Sequence, residues 1–214
     1  MSEEGMRIVS LRDEEAVQYG GDEMNWIPVR RRLGIGAFGV NAYRADEGEA
    51  AIEDHVESPG QEELYVVISG RVEFTAGEES SVLEAGHAAF VSDPELRRRG
   101  RALADGTLVL AVGGWTDQAY HPLPWEPIYL SAGPFARRKW QETVDILERE
   151  AGPFREHGYI RYRIACCLAQ LGEPDRALDE LRAAVESRPE LGERAASDEL
   201  LGPLRDLDGW SVPG

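Results

Sequence analysis

The hydrophobic period changes once along this chain, and that change bounds every fold it can adopt. From about residue 26 to 115, short apolar runs (34–44, 63–69, 72–76, 88–92 and 107–113) are separated by Gly, Pro and acidic residues. Short β-rich runs at this spacing predict an all-β sandwich or barrel. The pair ELYVVIS and VEFTA, joined at Gly70, reads as a hairpin. From about residue 135 the apolar residues recur at helical spacing. Trp140, Val144 and Leu147 mark one helix, and Ile160, Ile164, Ala165, Leu168 and Leu171 mark a second that Gly172 closes. Pro174 opens a third, with Ala177, Leu178, Leu181, Ala184 and Val185 on one face, and Pro189 ends it. The fold class is mostly β with an α tail. Residues 1–25 form an N-terminal segment, and 117–134, rich in proline and aromatics, read as a packed linker.

Charge and cysteine exclude several functions. A net charge of −17 disfavours nonspecific binding to nucleic acid or to an anionic membrane. No apolar run is long enough to span a bilayer. The acidic start lacks the basic-then-apolar layout of a secretion signal, so a cytoplasmic location is expected. Cys166 and Cys167 are adjacent within a helical apolar pattern and are expected to be buried as small hydrophobes. Zinc spacings, a nucleophile elbow, a P-loop and HExxH are all missing. The GIGAFG at 34–39 has no helix after it and reads as the start of a strand.

One resemblance sharpens the β half. Glu63-LYVVIS-Gly70, with Gly48 upstream and His55-Val-Glu57 between, resembles the first motif of the cupin superfamily. The loop SPGQE is slightly longer than that motif allows. Gly86, Pro94 and Arg97 follow the spacing of the second motif, and Arg97 stands where the pattern has a metal-binding histidine. The resemblance covers roughly residues 30–115 and implies a jelly-roll-like β-barrel over 26–116, followed by a short antiparallel helical hairpin region. It implies a pocket lined by His55, Glu57 and Glu63. Tyr65, in the strand phase of Glu63, and Asn41 and Tyr43 on the strand GVNAY are further candidates for its wall. A guanidinium stays protonated and repels a metal ion. Arg97 is therefore expected to point inward and pair with Glu63 or Glu57, with Arg98 separated from it by strand alternation. His87 is expected to be exposed at a turn, and His121 and His157 are given no role.

Within 135–214, residues 158–192 resemble one tetratricopeptide unit, with Ala165, Gly172, Ala177 and Ala184 as the small residues that let two helices approach. The expectation is a small-molecule binding module, with anions among the ligands it could take, a degenerate metal site and a helical interaction tail. On this reading the chain is a binder rather than an enzyme and no cofactor is expected. Two alternatives stay open. One is a metal-dependent oxygenase or isomerase in which His55, Glu57 and Glu63 hold a divalent transition metal; the other is a dimeric scaffold. By resemblance a homodimer is expected, and a protein partner could dock on the tail.

Overall fold

In a computed structural model of the protein, residues 5–13, 15–19, 24–205, 207 and 210 are described. Residues 1–4 of the acidic start lie outside them. The chain divides into two compact units, Met1–Pro122 and Leu123–Gly214.

The first unit carries ten strands: β1 (Val17–Tyr19), β2 (Met24–Ile27), β3 (Gly39–Ala45), β4 (Ala50–His55), β5 (Gln61–Ser69), β6 (Arg71–Ala76), β7 (Glu79–Glu84), β8 (Ala88–Val91), β9 (Arg98–Ala102) and β10 (Thr107–Trp115). A one-turn helix, α1 (Val29–Leu33), follows β2. The strands form two antiparallel sheets, ordered β1-β2-β3-β10-β5-β8 and β4-β9-β6-β7. Their inner faces share one core, in which Tyr65, Val67, Val91 and Val109 of the first sheet meet Ile52, Val72, Phe74 and Ala102 of the second. A second cluster on the outer face of the first sheet packs Ile27, Val29, Val40, Ala42 and Leu108 against residues of the N-terminal segment.

The hairpin expected at Gly70 is not formed. β5 pairs with β10 and β8, whereas β6 pairs with β7 and β9, so the chain changes sheets between Ser69 and Arg71. Alternation on both sides of a glycine is common to a hairpin and to a corner between sheets, and only the long-range pairing separates the two. Gly70 has φ +75°, and a Cβ there would lie 2.7 Å from Thr107 Cα. Backbone cannot yield as a side chain does, so Gly70→Ala should destabilise the first unit by about 3 kcal/mol. Chemical denaturation would check this against Gly106→Ala, where φ is also positive but nothing lies within 4 Å of the added carbon.

The second unit is helical: α2 (Trp125–Leu130), α3 (Ala132–Ala136), α4 (Trp140–Glu150), α5 (Gly158–Leu171), α6 (Pro174–Ser187) and α7 (Glu190–Ser197), with 3-10 turns at Gly152–Phe154 and Glu199–Leu204. The stretch read as a linker holds α2 and the start of α3, and Pro189 begins a further helix as well as ending one. Its prolines and aromatics masked the helical period. Gly172 caps α5 in the left-handed conformation, with its N–H donated to the Leu168 and Ala169 carbonyls. The start of α5 meets the end of α6: a Cβ on Gly158 would lie 3.1 Å from the Ala184 carbonyl oxygen. Ala165, Ala177, Ala184 and both cysteines are buried in this core. Among the described residues, no helix is long and apolar enough to cross a membrane.

Candidate metal centre

Three neighbouring elements converge on one polar cluster at an end of the inner core. His55 closes β4, and Glu57 follows it, tethered through its N–H to the Pro94 carbonyl at 2.8 Å. Glu63 and Tyr65 are alternate residues of β5 and so face the same way. Arg98 opens β9 directly opposite His55 in the register of β4 and β9.

His55 orients the cluster. One ring nitrogen, Nδ1, bonds the Glu53 carbonyl oxygen at 2.8 Å, which leaves Nε2 to face Glu57 Oε1 at 3.2 Å and Glu63 Oε2 at 3.5 Å. The buried Tyr65 hydroxyl donates a short hydrogen bond to Glu63 Oε2 and lies 3.5 Å from His55 Nε2. Burial alone would lower the His55 pKa, but the hydrogen bonds that its ring N–H groups donate to Glu57, Glu63 and the Glu53 carbonyl outweigh it, and the imidazole is pushed up to about 10. Glu57 shows the converse: burial opposes its ionisation, and the bond and charge of His55 hold it below the usual carboxylate range. Burial and the Glu63 charge keep the Tyr65 phenol protonated far above its ordinary value.

Glycine makes room for one ligand. Gly113 of β10 stands opposite Glu63, and a Cβ there would lie 2.9 Å from Glu63 Cγ.

The expected cation is the neighbouring one. Arg97 lies outside β9, is exposed, and gives Nε to Asp54 Oδ1 at 2.7 Å. Arg98 is fully buried, with Nη1 on the Pro94 carbonyl at 3.4 Å and Nη2 on the Asp93 carbonyl at 3.1 Å. It acts on Glu57 and Tyr65 through space. The alternation that divides these arginines holds, but its phase is set by Gly100 and Ala102, which must face the core: a Cβ on Gly100 would sit 2.8 Å from Ile52 Cδ1 and 2.9 Å from Val72 Cγ1. Arg98 shares their phase.

The other expected wall residues stand further off. Asn41 shares a row with Tyr65 but is separated from it by β10, about 10 Å away at ordinary strand spacing. Tyr43 packs against the inner core, in the row of Val109 and Val67. His87 is exposed, its Nδ1 accepting the Glu84 N–H, and His121 stacks on Trp115 at 4.2 Å. Gln61, which the sequence did not single out, is buried on the Glu63 face of β5 with an unbonded Oε1.

His55, Glu57 and Glu63 each offer one ligand atom, and these atoms lie within 4.8 Å of one another. The donor set suits a divalent cation. With metal–ligand bonds of about 2.1 Å, neighbouring ligands stand about 3.0 Å apart in an octahedron and about 3.4 Å apart in a tetrahedron. The 3.2 Å separation from Nε2 falls in that range and the 3.5 Å one lies just above its tetrahedral limit. One imidazole with two carboxylates is a borderline-to-hard set of the kind that takes first-row divalent ions.

Strands β3 to β10 have the order of a double-sheet jelly roll, four in each sheet, the architecture of cupins. The first unit has a cupin-like fold. Several solved structures are similar to this chain. Protein TT1209 of Thermus thermophilus is 25% identical, covers 51% of this chain and 98% of its own, and has a TM-score of 0.42. A putative sugar phosphate isomerase of Acidithiobacillus ferrooxidans is 16% identical, with coverage of 50% and 71% and a TM-score of 0.43. A cupin protein of Bacteroides fragilis is 17% identical, with coverage of 56% and 92% and a TM-score of 0.41. No family model matches the chain, and no curated protein matches it.

Proposed function

We propose that the cupin-like unit holds a divalent transition metal ion through His55 Nε2, Glu57 and Glu63, and that it binds a small oxyanion there. The convergence of three ligand atoms within 4.8 Å carries this reading. It replaces the expectation of a metal-free anion pocket, which rested on Arg97 pointing inward.

The charges support the choice. In the metal-free site, protonated His55 and Arg98 balance Glu57 and Glu63, so nothing there attracts an anion. Exchanging the His55 proton for a doubly charged cation leaves one net positive charge in a largely buried place, which favours a singly charged oxygen ligand. The bound ion would act as a Lewis acid on that ligand's oxygen. The chain's own groups do the positioning. The Glu53 carbonyl fixes the His55 tautomer with Nε2 free to coordinate, and Tyr65 orients Glu63 through its hydroxyl. Arg98 holds the 93–94 loop, against which Glu57 is tied.

Metal analysis of the purified protein tests the proposal. Wild type should take up one equivalent of a first-row divalent ion at mildly alkaline pH. His55→Ala and Glu63→Gln should each weaken uptake at least about 100-fold, and Gly113→Ala, which displaces Glu63 without removing it, about tenfold. Uptake that survives both ligand substitutions, or a wild type that stays free of metal, would refute it.

A further inference from the structure

The structure assigns a second binding site, for a small organic carboxylate, to the helical unit. A cavity of about 300 Å³ opens there between α2, α5 and α7 and the turn after α7. That volume is at the small end for ligand pockets.

Its polar groups are unbalanced. Arg163 lines the cavity half-buried, stacked on Phe135 with 4.8 Å from Cζ to the ring centre. Among the described residues only its Nη1 has hydrogen-bond partners, the Ile128 carbonyl at 2.7 Å and Ser131 Oγ at 3.3 Å. Arg194 lies over the Tyr162 ring at 5.2 Å. Among the described residues, neither guanidinium is ion-paired with a carboxylate. The acid in the wall, Asp198, spends its two oxygens elsewhere: Oδ1 accepts the Leu200 N–H at 3.0 Å and Oδ2 the Tyr162 hydroxyl at 2.9 Å. Two cations against one anion leave the cavity positive within a chain of net charge −17.

A half-buried guanidinium without a counter-charge is costly, and its planar fork matches a carboxylate. Capping the end of α2 accounts for one nitrogen of Arg163 and leaves the rest of the fork available. Ile128, Phe135 and Leu200, with the Tyr159 and Tyr162 rings and Cys166, give the rest of the wall a mainly apolar character, which favours a carboxylate with a short hydrophobic body over a phosphate.

Calorimetric titration of the full chain with benzoate, its neutral isostere benzamide and inorganic phosphate tests the assignment. With the divalent ion first stripped from the metal centre, benzoate should bind one site, with benzamide and phosphate at least about tenfold weaker. Arg163→Gln and Arg194→Gln should each weaken benzoate at least about tenfold, whereas His55→Ala, which disables the metal centre, should leave it unchanged. Arg194 is exposed, so Arg194→Gln keeps the test open should Arg163→Gln fail to fold. The site is disproved by a wild type that ignores benzoate, by benzamide or phosphate binding as well as benzoate, or by undiminished binding in Arg194→Gln. Loss of benzoate binding in His55→Ala would move the site to the metal centre and overturn it equally.

Discussion

Arg98→Met should destabilise the cupin-like unit by about 3–5 kcal/mol, while Arg97→Met, one residue earlier, should change stability by no more than about 0.5 kcal/mol. Methionine keeps most of the buried volume, so the difference isolates the charge. Without the Arg98 guanidinium, Glu57 and Glu63 face a single imidazolium in a largely buried place, and the Asp93 and Pro94 carbonyls each lose one of two donors. Arg97 forms an exposed pair with Asp54, with side chains 65% and 47% accessible, and such pairs contribute little. Denaturant titration of both variants in chelator gives the comparison. The same substitution should tighten metal binding, because it removes a repelling positive charge beside the ligands. Stability and metal affinity should therefore move in opposite directions. A tolerated Arg98→Met, or one that loses metal affinity along with stability, would mean that Arg98 does not serve as the buried counter-charge.

The second large effect is on pH dependence. His55 titrates near 6.5 in the unfolded chain and near 10 in the metal-free fold. A raised folded pKa contributes stability that is fully present below the unfolded value and is lost as pH climbs to the folded one. Between pH 6.5 and 10 the native state binds one more proton than the unfolded state, so stability should fall by about 1.4 kcal/mol per pH unit, up to about 5 kcal/mol in all. Denaturation midpoints in chelator, taken as the difference between wild type and His55→Gln, isolate this contribution. With a divalent ion supplied, the slope should vanish, because the ion has already displaced the proton and His55 is neutral in both states. Metal affinity over the same range should rise about tenfold per pH unit. Wild type and His55→Gln running parallel from pH 6.5 to 10 in chelator would show that Glu57 and Glu63 do not hold the imidazole protonated.

Much of the centre is legible in the amino-acid sequence. Motif spacing and strand phase point to His55, Glu57, Glu63 and Tyr65, and all four meet. The error lies in the phase of one strand. In RRGRA the small residues Gly100 and Ala102 share parity with Arg98, and that pattern alone would have turned Arg98 inward and Arg97 out. Gln61, two residues before Glu63 on the same face of β5, is a miss, because the alternation that picks out Tyr65 reaches it equally. Gly113 carries no such signal, because nothing in a strand sequence says which residue of another strand will stand beside it. The helices α2 and α3 are hidden by prolines that sit within helical turns, where proline is tolerated.

Local physics determined the elements: period two before residue 115, period 3.6 after 135, glycine where φ is positive at Gly70 and Gly172, and small residues where helices meet. Tertiary structure alone decided that the chain at Gly70 passes from one sheet to the other, and that β9 turns Arg98 rather than Arg97 into the core. The reason is the same in both cases. A residue's neighbours along the chain set its backbone conformation, but its partners across a sheet come from distant segments, and those partners decide which side chains share buried space and which charges must balance there.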